Sequence, residues 1–376
     1  MDKEIQYFAE WVSEKIRQKM KATALRNPDI LPYTSVDGRF KDYKGDICKW
    51  TNGFWPGLLW LMYMDTNDSV YKEIAEQAER TLDCAFCQFD GLHHDVGFMW
   101  HISSGLDYRL TGNEKSRVRT LLAANLLMGR YNVAGDYIRA WNEKEEGDTT
   151  GWAIIDCMMN LAILYWASRE TGDDRYTYVA MRHADKTLKN HLRADGSCRH
   201  IVEYNPQTGE FVKELGGQGY GAGSCWSRGQ GWGLYGFVIS YEHTEEHRYL
   251  DAAKRIAHYV ISCISRTEWL PLCDFRSPAQ PVIYDSTAGA IIASGLIELA
   301  ENVPETERDI YVTAAFKILK AMEEKFCCWD LDKDSILQMG TLKYHGEQER
   351  HIPIIYGDYF FVEAIHKLTG SSFKIW

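Results

Sequence analysis

The chain has 376 residues, a formal net charge of −11, 45% hydrophobic residues and 25% charged ones, a balance that excludes disordered and fibrous classes. So large an acidic excess lacks the basic footprint of a nucleic-acid partner, and no apolar run reaches the roughly 18 residues of a membrane span. The charged opening MDKEIQYFAE has no apolar signal core, which makes the cytoplasm the expected location.

In chain order, a helix is expected over about residues 3 to 22. A repeated unit follows: a glycine- and aromatic-rich apolar helix, a short polar turn and an amphipathic helix. Clear copies begin at Gly53, Gly151, Gly229 and Ser286, with a weaker one at Asp95. The turns Thr-Asn-Asp, Thr-Gly-Asn and Thr-Gly-Asp supply a C-cap residue and then an N-cap residue. A last helix is expected over about 356 to 369, and pairing it with the first completes a sixth hairpin. The expectation is an all-α (α/α)6 barrel, one domain over residues 1–376, with the apolar helices inside and the amphipathic helices outside. Long connections at about 131–151, 193–227, 266–284 and 327–355 would all emerge on one rim, where a site is expected. The second of them holds β-like pieces around the turn PQTG. The ten cysteines, including Cys84 and Cys87, lack paired zinc-site spacing and are expected as mostly buried thiols.

The unusual residues gather where inner helices begin. Asp156 lies in the apolar run AIIDCMMNLAIL, where a carboxyl is costly unless paired, protonated or used. Such surroundings raise its pKa and suit a general acid; the alternative is an Asp that caps a helix or bonds to a distant Arg. Asp95 opens the next most suggestive string, His93-His94-Asp95. It is either an ordinary N-cap or the second carboxylate of sugar-cleaving chemistry. His94 would hold Asp95 or touch substrate, His93 would be a solvated neighbour, and adjacent histidines are not a helical metal pair. Trp226, Arg228, Gln230 and Trp232 combine stacking faces with a cation suited to two parallel bonds to a carboxylate, and so to an acidic sugar. Alternatively, Gln230 and Trp232 are packing and Arg228 neutralises an internal Asp. No phosphate loop, dinucleotide fingerprint or serine elbow is present, so no cofactor and no metal are expected.

Taken together, the strings WTNGFWPGLLW, LHHDVGF, AIIDCMMNL, GSCWSRGQGWGLYGF, DSTAGAI and YGDYFFVEA resemble the unsaturated glucuronyl hydrolases of glycoside hydrolase family 88. The resemblance implies an (α/α)6 barrel that removes a 4,5-unsaturated uronic acid from the non-reducing end of lyase-generated oligosaccharides by hydrating a vinyl ether. It implies Asp156 as proton donor, Asp95 as its partner, and Trp50, His94, His200, Gln218, Trp226, Arg228 and Trp232 as the substrate pocket. Relatives often carry a polar or basic side chain just before the position of Gln218, where this chain has Gly217. Lys343, His345 and Arg350 are candidates to meet a substrate sulfate, or else belong to a solvated loop. Rival readings are an unsaturated rhamnogalacturonyl hydrolase acting on pectin fragments, a same-fold glycosidase acting on saturated glycans, and a helical-repeat binding module.

Overall fold

Helices that are apolar on every side have every side packed. In the computed structural model, which describes residues 3–142, 147–371 and 373–376, the helices are α1 (Lys3–Arg26), α2 (Phe54–Thr66), α3 (Ser69–Phe86), α4 (Val96–Trp100), α5 (Ser104–Thr111), α6 (Glu114–Met128), α7 (Cys157–Thr171), α8 (Arg175–Asn190), α9 (Ser227–Thr244), α10 (His247–Ile264), α11 (Ser286–Glu301), α12 (Glu305–Phe326) and α13 (Ile355–Leu368). The inner ring is α2, the pair α4 and α5, α7, α9, α11 and α13, each against the next, and α13 returns to α2. Helices α3, α6, α8, α10, α12 and α1 back them from outside, α1 against α13. This is the expected (α/α)6 barrel, closed by the terminal helices. Nearly all of α7 and α9 is buried, whereas α8 and α10 bury one stripe each.

Asn67, Gly112 and Gly172 end inner helices in the left-handed conformation, and Asp68 and Asn113 cap the outer helices that follow. The weaker repeat at Asp95 is two short helices. Ser103 leaves helical geometry there, its hydroxyl bonding back to the Met99 carbonyl, a local competitor of helical pairing.

The long connections carry small antiparallel sheets. β1 (Pro32–Val36) pairs with β2 (Arg39–Asp42), and β3 (Tyr131–Asn132) with β4 (Tyr137–Ile138). β5 (Trp152–Ile154), β6 (Ile201–Tyr204) and β7 (Phe211–Leu215) form a three-stranded sheet in that order. The last two are the β-like pieces expected from sequence; residues 143–146 of the connection at 131–151 lie outside the described residues. All six inner units begin on the rim of the long connections, and five of them run into short turns at the other end. At the far end, Lys367 pairs with Glu298 at 2.5 Å and Glu363 at 3.2 Å, and Trp376 stacks on Phe360. No helix among the described residues is long and apolar enough to cross a membrane.

Candidate active site

Inner helices that start on one rim direct their positive dipole ends at the same space, which favours anionic groups there. Asp156 lies at that rim. The sequence suggested a carboxyl inside an apolar helix; instead Asp156 stands just ahead of α7 as its N-cap residue. The reason is β5: Ala153 and Ile154 pair with Val202 and Ile201, and Ile155 N–H donates to the His200 carbonyl at 3.0 Å, which delays the helix. The Asp156 side chain makes no capping bond. It keeps 15% of its surface open, and among the described residues its Oδ1 has no hydrogen-bond partner. His200 Nε2, 4.0 Å away, is likewise unpaired. Burial pushes the carboxyl well above the usual range, the Asp95 charge pushes further, and Arg228 opposes both by less. Burial and the Asp95 charge thus both favour the protonated form of Asp156, the form a general acid needs.

Asp95 is the N-cap residue of α4, also without a capping bond, so an ordinary cap does not describe it. Asn160 Nδ2 donates to its Oδ1 at 3.1 Å, while His93 Nδ1 and His94 Nε2 lie 3.3 and 3.4 Å from Oδ2. Burial alone would raise this carboxyl; His94, His93 and Asn160 together outweigh it and hold the group below its ordinary value. The two carboxyls are thus shifted in opposite directions, the pattern that divides acid from carboxylate roles. His93 is drawn into this cluster and is not merely a solvated neighbour. Among the described residues, His93, His94 and Asp95 are the one group of three whose ligand atoms lie within 4.8 Å of one another. Here both rings are directed at a carboxylate that Asn160 already binds.

The opposite wall is built on His200, whose ring lies against Trp226 at 4.1 Å between centroids. Gln218 N–H donates to His200 Nδ1 at 3.1 Å, the Gly216 carbonyl lies 3.3 Å from the same nitrogen, and Nε2 faces Asp156. Burial pushes the His200 pKa down to about 3, so the ring is neutral. The Gln218 amide is itself tied to the Leu342 carbonyl at 2.8 Å. Gly217 sits at φ +55°, and a Cβ there would come within 2.2 Å of His200 Nδ1. Gly217→Ala is therefore expected to lower kcat at least about 10-fold by displacing His200 from Asp156. Steady-state kinetics checks this; an unchanged kcat would mean that the ring position is unimportant.

Arg228 is buried, and its Nη1 donates to Asp285, to the Thr341 carbonyl at 2.7 Å and to Thr287 Oγ1 at 3.1 Å. Its Nη2 donates to the Leu342 carbonyl at 2.8 Å. Both terminal nitrogens are thus engaged by the protein, through an internal aspartate, a threonine hydroxyl and two loop carbonyls. The alternative, an arginine neutralising an internal aspartate, is what forms. Its guanidinium also stacks on Trp226, 4.5 Å from the ring centroid. Trp232 is fully buried between Phe98 and Phe360, so it is barrel packing and not pocket wall. The Gln230 amide clamps Cys198 through both backbone groups. Half-buried Trp50 stacks on Tyr356 at 5.0 Å. The three loop cations have protein partners: Lys343 pairs with Glu349, His345 meets the Tyr220 carbonyl, and Arg350 meets the Tyr344 carbonyl.

Two residues escaped the sequence reading. Asn160 follows Asp156 by one helical turn and so shares its face, a signal that was present. Asp285 starts α11 and caps it by accepting Thr287 N–H; its pairing with Arg228, 57 residues earlier, left no local sign.

The family model described as Glycosyl Hydrolase Family 88 matches residues 33–346. An unsaturated glucuronyl hydrolase of Bacillus sp. (strain GL1) is 33% identical over 353 residues, covering 93% of each chain. An unsaturated chondroitin disaccharide hydrolase of Streptococcus pneumoniae (strain ATCC BAA-255 / R6) is 32% identical over 329 residues, 85% of this chain and 82% of the relative. Among solved structures, an unsaturated glucuronyl hydrolase from Streptococcus agalactiae superposes with a TM-score of 0.90 at 28% identity, covering 99% of this chain and 94% of that one.

Proposed function

The chain belongs to glycosyl hydrolase family 88, and we propose that it releases the 4,5-unsaturated uronic acid from the non-reducing end of lyase-generated, glycosaminoglycan-type oligosaccharides by hydrating the C4=C5 bond, with Asp156 as general acid and base. The observation that carries this reading is the pair of carboxyls: Asp156, pushed upward by burial and by the Asp95 charge and with an oxygen the protein leaves unpaired, beside Asp95, held below its ordinary value. A vinyl ether reacts by accepting a proton at carbon, so its catalyst must hold an acid near neutral pH.

Asp156 gives its proton to C4, and positive charge spreads over C5 and the ring oxygen, where the Asp95 carboxylate favours it. Asp156, now a carboxylate, takes a proton from the water whose oxygen bonds to C5. It is then an acid again. The hemiketal opens, C5 becomes a ketone, the ring oxygen stays on C1 as a hydroxyl, and that hemiacetal expels the remaining sugar as an alcohol. His200 Nε2 faces Asp156, and a proton on that nitrogen stabilises its transient negative charge. The helix starts around the rim favour the uronate carboxylate, and half-buried Trp50 offers a face for a sugar ring. The relatives named for glucuronyl and chondroitin disaccharide hydrolysis support the same substrate class. All ten cysteines are free thiols, as in a reducing compartment, and we place the reaction in the cytoplasm.

The test is ultraviolet absorbance during incubation with unsaturated and saturated glycosaminoglycan disaccharides. The conjugated uronate signal should disappear and the saturated sugar should stay intact. A persistent signal with folded enzyme, or efficient cleavage of the saturated sugar, would overturn the reading.

A further inference from the structure

Between the two carboxyls lies a third side chain that the mechanism above does not use. Asn160 is buried in the first full turn of α7, four residues after Asp156, and side chains in a helix lean toward its N-terminus. Its Oδ1 accepts Phe98 N–H of α4 at 2.9 Å. That bond fixes which way round the amide lies, because a flipped amide would set its NH2 against an N–H and its oxygen against a carboxylate. The Nδ2 group donates to Asp95 Oδ1 at 3.1 Å and lies 3.3 Å from the Asp156 carbonyl. Both ends of the amide therefore have partners, and the partners belong to the two helix starts that carry the two carboxyls. The fit is close on the other side too: a Cβ added to Gly97 would lie 2.6 Å from Asn160 Oδ1 and 2.9 Å from its Cα, so α4 meets this side chain backbone-first.

We propose that Asn160 is a positioning residue for the reaction, holding the Asp95 carboxylate against the start of α7 so that its charge bears on Asp156. The inference rests on the functional reading above. Asn160 acts through Asp95 and not by touching the sugar. A hydrogen bond to a charged group favours the charged form, so the amide helps keep Asp95 ionised, and the Asp95 charge in turn keeps the proton on Asp156.

The consequence is a particular change in the pH profile. In a hydration reaction run by this pair, the acid limb reports ionisation of Asp95 and the alkaline limb reports loss of the Asp156 proton. Asn160→Ala removes the bond that stabilises the Asp95 charge, so the acid limb should move up. It also lets that charge swing away from Asp156, so the alkaline limb should move down. The bell narrows from both sides, each limb by about one pH unit, and kcat at the optimum falls about 10- to 100-fold with KM within about 3-fold. Asn160→Asp keeps the shape and the acceptor for Phe98 N–H but adds a negative charge beside both carboxyls, so both limbs should move upward together.

The experiment is the kcat profile against pH of the full-length enzyme and both variants on an unsaturated disaccharide, with circular dichroism to establish folding. Narrowing in one variant and a common upward move in the other support the proposal. If Asn160→Ala does not fold, the near-isosteric Asn160→Asp carries the test alone. A folded variant whose limbs stay in place overturns the inference, whether or not kcat falls, because a merely structural residue would lower the rate without moving the limbs. An unmodified enzyme inactive on every unsaturated disaccharide would overturn the functional reading itself, an outcome seen without any variant.

Discussion

Asp156→Asn should abolish turnover while leaving the barrel as stable as before or more so. The amide keeps the shape of the carboxyl but has no proton to give C4, and the loss of a general acid costs about 10³- to 10⁴-fold in kcat. Stability should move the other way because of linkage. The Asp156 pKa is raised in the folded state, so the folded protein is favoured while the group is protonated and loses stability as pH rises through the unfolded value and on to the folded one. At neutral pH the wild-type chain bears that cost; asparagine, neutral at every pH, does not. Unfolding in denaturant at neutral and acid pH checks the difference, which should shrink as pH falls. The wild-type rate should fall on the alkaline side as Asp156 loses its proton. It should fall on the acid side only well below neutrality, since Asp95 is held below its ordinary value. A variant with near-normal turnover would remove Asp156 from the chemistry.

Arg228→Ala should produce the largest loss of stability. Arg228 and Asp285 are 1% and 0% exposed, and the same guanidinium holds the carbonyls of Thr341 and Leu342. Removing one partner of a buried pair strands the other charge, at about 3–5 kcal/mol. The double variant Arg228→Ala/Asp285→Ala should recover part of that loss, because the stranded carboxylate is gone, whereas the loop at 341–342 stays unanchored in both. Equilibrium unfolding of the two variants measures this. A single-variant loss below about 1 kcal/mol would mean that the pair is not the anchor its geometry implies.

The ring was legible in the sequence because its causes are local: apolar helices, amphipathic helices and cap residues at Asn67, Gly112 and Gly172 recur along the chain. The break at Ser103 was not, since it turns on one hydroxyl choosing the Met99 carbonyl. Asp156 stood out by its apolar neighbours, but its exact place did not. β5 finds its partner strand nearly 50 residues on, and only that pairing shows that the helix starts after the aspartate. Arg228 and Trp232 were visible as unusual residues, yet each had two readings that only tertiary contacts separate. Asp285 claims the first and Phe98 with Phe360 enclose the second. His200 and Gln218 carried no local signal of their own; the resemblance pointed to them, and the bond from Gln218 N–H to His200 Nδ1 gives that pairing a physical basis.

The most direct measurement is the structure of the product formed from an unsaturated disaccharide, read by nuclear magnetic resonance as the reaction proceeds. Hydration at C4=C5 predicts a released sugar whose C4 is saturated and whose C5 is a ketone, formed together with the free partner sugar and at the rate at which the ultraviolet signal fades. Release of a uronic acid that still carries its C4=C5 bond would mean displacement at the anomeric carbon, and would contradict the role given to Asp156.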